Sequence, residues 1–554
     1  MRNKLQRVAA VITGWLVVNC ATRIRHSGLL KRLLFRPEYR KLTTFDESLL
    51  QIIKQSLREG HTCLPLKLLM SRAEAELGGG EWLPEGFIGA LQRLRYHRRV
   101  HVTDSHVALP QCVVAEDVIA KGLLRIGRRA RAINSAQLNQ FVKVSANELS
   151  DEQRDAIRFI ANTPVSILTG APGSGKTATV KALLNMFVQA GYRVRLAAPT
   201  GRAAQRLKEV TGHPAQTLHR MLRANQPEAR SIWNYIFPVA DVIIVDEASM
   251  VDVFLMARLV KACSPSTKLI LVGDVHQLPS VGAGQALLDL IESGTVPAFE
   301  LRNNYRQANG SRIVDAAEAI KEGRVPDLPA PGKMKSDCYF IEADTATEIS
   351  RLVVKAATKS LPARCGANPN QNVQVLTPKH RGLLGTISLN EQIQGGLSDS
   401  DLEPPTTAHP FLPGDRVLHT KNNYRLNVFN GQCGSVQVAT DDSITVNFGQ
   451  REVIYSRASL HQLTHGFAIS IHRSQGSEYP FVIIPIHETQ YPMLSRELLY
   501  TAITRGQQMV VLIGSRSALE AAIENSVRGK LHTGLKHTLI KARQPKLNVR
   551  LFSS

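Results

Sequence analysis

From Leu149 onward, short runs of β-branched and aliphatic residues alternate with stretches whose apolar positions recur at helical spacing. Val165–Leu168, Val194–Ala198, Val242–Val245, Leu269–Val272, Val373–Leu376, Val482–Ile486 and Val510–Ile513 read as buried strands. Buried strands that alternate with helices predict parallel α/β domains. From Pro413 to about Leu460 the strand signals shorten and turns multiply, as at Asn430-Gly431 and Asp441-Asp442. This predicts a small β barrel inserted into the second α/β domain.

Residues 46–110 differ again. Thr44-Phe45-Asp46-Glu47 predicts a capping box, with Thr44 as N-cap and Glu47 returning to it, and a helix to about Arg58. A second helix is expected from Leu64-Pro65 to Gly78, and a third from Glu85 to about Tyr96. Arg99–Thr103 and His106–Leu109 alternate around Asp104-Ser105 as a hairpin. Three helices and a hairpin predict a winged helix. Arg93, Arg95, Arg98 and Arg99 are either its duplex-holding surface or the solvated face of a structural module.

The chain has 554 residues, enough for three or four domains, and 43% apolar residues, which excludes global disorder and fibrous repeats. Its seven cysteines form no CxxC pair, which argues against a disulfide scaffold or a zinc ribbon and for a reducing, cytoplasmic setting. Val8–Val18 is an apolar run behind a basic start, too short to span a bilayer. Net charge is +22, of which residues 1–45 and 526–554 hold +16. These two ends are expected to be basic tails that either hold phosphates without reading sequence or are solvated and bind nothing.

The chemistry lies at strand ends. Gly170-Ala171-Pro172-Gly173-Ser174-Gly175-Lys176-Thr177 follows one predicted strand and opens a helix. Such a loop turns backbone N–H groups toward phosphates; Lys176 is expected on the β- and γ-phosphates and Thr177 on Mg²⁺. Asp246 and Glu247 end another predicted strand. Asp246 is a candidate Mg²⁺ holder and Glu247 a candidate base for the attacking water.

Further motifs follow in order: Leu149-Ser-Asp-Glu-Gln153, Pro199-Thr200-Gly201-Arg202, Thr217-Leu-His219-Arg220, Gly273-Asp274-Val-His-Gln277, Tyr305-Arg306-Gln307, Asn422-Asn423-Tyr424, His472-Arg-Ser474-Gln475-Gly476-Ser-Glu478 and Tyr500-Thr-Ala-Ile-Thr-Arg505-Gly506. With these the chain resembles superfamily 1 DNA helicases of the RecD-like group, from about Leu149 to Gly514. Gly60-His61-Thr62-Cys63 and Leu109-Pro110 extend the likeness toward its stand-alone members.

The resemblance implies two RecA-like P-loop domains, 145–298 and 299–400 with 461–520. It also implies a winged-helix-like domain at 46–130, an SH3-like insertion at 405–460, an unassigned extension at 1–45 and a tail at 526–554. It implies that Gln153 contacts adenine, Gln277 and Arg306 sense the γ-phosphate, Arg505 is an arginine finger, and Gly476 and Glu478 close on the nucleotide. Thr200, Arg202, Thr217, His219, Thr377, Asn423, His472 and Ser474 would line the path of single-stranded DNA. Trp233, Tyr235 and Phe237 are either a strand-splitting wedge or core.

The expected function is an ATP- and Mg²⁺-dependent DNA helicase. It would move 5′ to 3′ on single strands and open tailed duplexes as a monomer without membrane contact, in repair or recombination. A DNA-stimulated translocase that does not unwind, a motor subunit of a larger complex, and a non-motor binding subunit are the alternatives. The intact Lys176, Asp246, Glu247, Gln277, Arg306 and Arg505 argue against the last.

Overall fold

The computed structural model describes residues 41–77, 84–222, 240–303, 310–332, 334–397, 410–423, 425–426, 428–449 and 451–543. The chain opens with helix α1 (Thr44–Arg58), strand β1 (Cys63–Pro65), helices α2 (Leu66–Leu77) and α3 (Pro84–Tyr96), and strands β2 (His101–Val102) and β3 (His106–Ala108). The N-cap of α1 is Thr43, not Thr44, and its box partner is Asp46, not Glu47. The shift has a physical reason. Asp46 is wholly buried and its carboxylate also holds Arg93 Nε and Nη2, each at 2.8 Å, so the cap doubles as an interhelical ion pair. The strands form one antiparallel sheet in the order β1-β3-β2, with the apolar faces of α1, α2 and α3 packed on it.

Helix α4 (Pro110–Leu123) leaves this unit and packs on the first α/β domain. The fit is close: a Cβ on Gly122 would lie 2.3 Å from Val260 Cγ1. Helices α5 (Ser135–Val144) and α6 (Asp151–Asn162) follow. The first domain then alternates β4 (Val165–Gly170), α7 (Lys176–Gln189), β5 (Val194–Ala198), α8 (Gly201–Thr211), β6 (Ala215–Thr217), β7 (Val242–Val245), α9 (Val253–Ala262), β8 (Lys268–Gly273), α10 (Ala286–Glu292) and β9 (Ala298–Leu301). Its sheet is parallel throughout, in the order β6-β5-β7-β8-β4-β9. β4, β7 and β8 are buried at every position, as strands covered by helices on both faces must be. Because β9 pairs with β4, the first domain runs past the expected boundary at 298.

The second domain contains α11 (Arg312–Lys321), β10 (Cys338–Glu342), α12 (Ala346–Lys355), β11 (Val373–Thr377) and α13 (Thr386–Leu397). An inserted antiparallel sheet follows: β12 (Arg416–His419), β13 (Cys433–Ala439), β14 (Ser443–Asn447), β15 (Glu452–Ser456) and β16 (Leu463–His465), in the order β15-β14-β13-β12-β16. A bulge between Val436 and Val438 bends it around its own core of Val417, Val436, Ile444, Val446 and Tyr455. The insertion therefore ends after 460, where the sequence placed its limit. The chain returns with β17 (Ala468–Ser470), β18 (Tyr479–Ile486), α14 (Arg496–Ile503), β19 (Gly506–Gly514) and α15 (Arg516–Glu524), giving a second parallel sheet, β10-β19-β18-β11-β17.

The C-terminal end departs from the expectation of a loose basic tail. Residues 535–543 form helix α16 (Leu535–Arg543), and Leu535 and Leu539 are buried in the core of the first domain beside α4 and α10. Two leucines at i and i+4 supply the apolar stripe that the charge count concealed. Among the described residues no helix is long and apolar enough to cross a membrane.

Candidate ATP site and strand path

The phosphate loop leaves β4 at Gly170 and enters α7 at Lys176. Gly173 and Gly175 have φ of 87° and 84°, in the left-handed region where glycine is favoured. Ser174 Oγ is buried without a partner among the described residues. Lys176 Nζ donates to the loop's own carbonyls, Gly170 O at 2.6 Å and Ala171 O at 2.9 Å. Burial pushes the Lys176 ammonium below its ordinary range, while Asp274, Glu247 and Asp246 oppose that shift. Thr177 follows on the first turn of α7.

Asp246 and Glu247 leave the end of β7, and Asp246 Oδ1 accepts from Glu247 N at 2.9 Å. Glu247 sits at φ 52°, ψ 40°, a left-handed conformation that costs a non-glycine residue on the order of 1 to 3 kcal/mol. Asp246 is raised above the usual carboxylate range, first by burial and then by the neighbouring Glu247 charge. A divalent cation relieves both effects. Thr177 and Asp246, a hydroxyl and a carboxylate, are the hard oxygen donors Mg²⁺ prefers.

The turn after β8 is clamped to the second domain. Asp274 is 1% exposed; its Oδ2 accepts from Tyr500 on α14 at 2.9 Å and from Gln277 Nε2 at 3.3 Å. Leu278 N donates to Thr501 Oγ1 at 2.8 Å, and Gln475 Nε2 donates to Leu278 O at 3.3 Å. Arg505, just beyond α14, is 2% exposed and donates to Thr501 O, Ser477 O and the Thr504 hydroxyl; among the described residues no carboxylate bonds it. Arg505 nonetheless lies near enough to Lys176 to push its pKa down. A half-buried and a buried cation from separate domains thus lie within electrostatic reach of one another, an arrangement that favours an anion nearby.

Three other expected nucleotide residues have protein partners of their own. Gln153 is 6% exposed and its Oε1 accepts from Ser150 N at 3.0 Å in the capping box of α6. Gly476 rests against α8, where a Cβ would meet Ala203 Cβ at 3.1 Å. Glu478 pairs with Arg206 of α8 at 2.8 Å. Both therefore link the second domain to α8. Arg206, which the motifs did not single out, also lies close enough to Asp246 and Glu247 to feel both. Its signal in the sequence was its place four residues after Arg202 on one helix face. Arg306 with Tyr305 and Gln307, the aromatics Trp233, Tyr235 and Phe237, and Tyr424 lie outside the described residues.

The expected strand path is less uniform. Thr200 and Thr217 cap helices, accepting from Ala203 N and Arg220 N, each at 3.2 Å. His219 is exposed. Asn423 Nδ2 donates to Gln462 Oε1 at 3.2 Å. His472 is held below its ordinary range by burial and by His380. Arg202 spans the cleft, donating to Tyr479 Oη at 3.0 Å and to Gly431 O at 3.3 Å, with its guanidinium 5.3 Å from the Tyr479 ring centre. Two expectations of direct strand contact are corrected. Thr377 is fully buried with its hydroxyl on Leu384 O at 2.6 Å, and Ser474 is fully buried with its hydroxyl on Ile471 O at 2.7 Å. Both hydroxyls donate to local backbone carbonyls, and Thr377 Oγ1 also accepts from Gln490 Nε2 at 3.3 Å.

Comparison with known proteins agrees with this architecture. Residues 148–335 match the family described as an AAA domain, and residues 465–513 match the UvrD-like helicase C-terminal domain. The RecBCD enzyme subunit RecD of Mycolicibacterium smegmatis is 34% identical over 427 residues, covering 70% of this chain and 75% of that protein. The chain belongs to the RecD family of ATP-dependent DNA helicases. Another RecD relative, the ATP-dependent RecD2 DNA helicase of Deinococcus radiodurans, is 38% identical over 381 residues. The match covers 69% of this chain, which spans about half (51%) of that protein's length. A crystal structure of Pif1 helicase from Candida albicans overlaps 69% of the chain and 97% of its own at 18% identity and a TM-score of 0.45, too loose a likeness to place side chains.

Proposed function

We propose that the chain hydrolyses ATP to move 5′ to 3′ along single-stranded DNA and to open tailed duplexes, as a monomer acting in repair or recombination. The observation that carries this reading is that Arg505, buried in the second domain, acts on the charge of half-buried Lys176 in the phosphate loop of the first, with Asp246 and Glu247 also within electrostatic reach. ATP fits there with its phosphates along the loop 170–177. Mg²⁺ would be held by Thr177 and Asp246 and would supply charge neutralisation at the β- and γ-phosphates. Glu247 takes a proton from the attacking water as the water oxygen bonds the γ-phosphorus and the bond to ADP breaks. Lys176 and Arg505 stabilise the charge on the transferring group, and Gln277 and Arg306 sense its presence. Gln153 contacts adenine through its amide.

Closure of the two domains on ATP and release after hydrolysis pass through the contacts of Tyr500 and Thr501 with the Asp274–Leu278 turn. Thr200, Arg202, Thr217, His219, Asn423 and His472 then grip the strand alternately, through donors that hold phosphates without reading bases. The unit α1–β3 serves as a winged-helix-like duplex holder, and β12–β16 as an SH3-like wall of the strand path. A strand-displacement assay with 5′-tailed and 3′-tailed duplexes tests this directly. Opening of the 5′-tailed substrate alone is expected. ATP consumption without opening of either would replace helicase by translocase.

A further inference from the structure

Residues 525–534 cross from the second α/β domain to the N-terminal unit and brace the ATP cleft on the way. Glu497, on the first turn of α14, is 4% exposed; its carboxylate accepts from Ser526 Oγ at 2.6 Å, Val527 N at 3.0 Å and Arg528 N at 3.4 Å. α14 is the helix that carries Tyr500 and Thr501 and delivers Arg505. Next along the strap, Arg528 Nη1 donates to His276 Nδ1 at 3.1 Å, and Arg528 O accepts from Gln285 Nε2 at 3.4 Å. Burial pushes His276 below its ordinary range, so the ring is neutral at pH 7 and Nδ1 is an acceptor. His276 immediately precedes Gln277. At the far end, His532 N donates to His61 Nδ1 at 3.1 Å, and Thr62 N donates to His532 O at 3.0 Å.

A cavity of about 20 Å³ lies where these parts meet, lined in part by Ser249, Gln277, Gln285, Glu497 and Arg528. It has room for one water. Ser249 Oγ, two residues after Glu247, is buried without a protein partner among the described residues. The loop of the candidate base, the γ-phosphate sensor and the strap therefore share one polar junction.

We propose that Arg528 is a positioning residue for ATP hydrolysis: anchored by Glu497, it fixes the His276–Gln277 turn against α14, so that sensor and arginine finger are set by the C-terminal strap. This rests on the reading of Gln277 and Arg505 given above. Arg528 touches no reacting atom; it acts through His276.

The test uses the full chain and the variants Arg528→Ala and Arg528→Lys. Misplacing a reacting group by about 1 Å can cost on the order of 10² in rate. Arg528→Ala should lower kcat for DNA-stimulated hydrolysis about tenfold or more. Its ATP KM, ADP affinity and thermal midpoint should match the parent's. Its preference for ADP with aluminium fluoride over ADP alone should fall in step with kcat, and Arg528→Lys should regain part of both. Parent-like kcat and analogue preference in Arg528→Ala would overturn the proposal. So would a loss that tracks a lower midpoint and weaker ADP binding with no rescue by lysine, because the role would then be structural. The analogue preference needs only the nucleotide site. A parent chain with no DNA-stimulated turnover would count against the helicase reading, and the analogue measurement would still decide on Arg528.

Discussion

The ATP cleft and the strand path are built from the same material, short motifs at the ends of parallel strands, yet they are built differently. At the cleft, charged side chains from both domains act on one another, Lys176 with Asp246, Glu247 and Arg505, although Lys176 and Arg505 also donate to backbone carbonyls. Along the path, several of the expected polar groups are spent on the protein itself. Thr377 and Ser474 satisfy local carbonyls, Thr200 and Thr217 cap helices, and Arg202 bridges the domains. The physical difference is the ligand. A triphosphate presents dense charge that needs fixed cations and carboxylates in a dry site. A nucleic acid backbone is held by many replaceable contacts, so individual donors need not point outward.

The sharpest way to break this contrast is Arg505→Ala. If the cleft depends on convergence, DNA-stimulated turnover should fall about 10³-fold while ATP and DNA still bind, as for other arginine fingers. Turnover assays beside nucleotide and DNA titrations check it, and parent-like turnover would dissolve the contrast. Next come Lys176→Ala and Glu247→Gln, each expected to cost about 10² or more in kcat. Glu247→Gly adds a second readout. It removes the base and also the left-handed strain, so stability should rise by about 1 kcal/mol as activity vanishes. Denaturant melts beside ATPase assays separate the two effects.

The frame behind the cleft should respond to pH. Asp289 on α10 is pushed up to about 7, mainly by burial, with Glu116 and Glu292 adding to the shift, while Thr533 Oγ1 donates to its Oδ1 at 2.9 Å and Lys536 opposes. The folded protein therefore holds this proton more tightly than the unfolded chain. The stability it contributes is present below about pH 4 and lost as pH rises toward about 7, on the order of 1 to 3 kcal/mol. Thermal midpoints should fall between pH 5 and pH 8, and Asp289→Asn should flatten that slope. An unchanged slope in the variant would move the effect to another group.

The smallest expected effects sharpen the other side. Thr377→Val should cost about 1 kcal/mol of stability, the usual worth of one buried hydrogen bond, and leave single-strand binding alone. His219→Ala should do the reverse, weakening single-strand binding without moving the melting point. DNA titrations beside thermal melts check both, and weaker single-strand binding by Thr377→Val would put that hydroxyl back on the strand.

Much of the frame was legible in advance because buried parallel strands are nearly continuous apolar runs. All seven expected strands are present. The strands β6, β9, β10 and β17 went unread. β6, β10 and β17 form sheet edges, and β9 is an edge whose residues are mostly not buried, so hydrophobic runs are short or interrupted there. Arg206 and Arg528 were unread for another reason: each acts through a partner distant in sequence, Glu478 for one and His276 for the other.

By itself the sequence determined the family, the phosphate loop, the paired carboxylates and the positions of the sheets' central strands along the chain. These depend on local periodicity and on residue types at fixed spacing, which a single chain displays directly. The tertiary structure alone decided that residues 525–543 are a strap and a packed helix. It alone decided that Arg505 comes within electrostatic reach of Lys176, and that Thr377 and Ser474 face inward. Those outcomes depend on which surfaces meet across hundreds of residues. Charge counts and motif spacing record what a side chain is, whereas burial and partnership are settled only when the domains close around it.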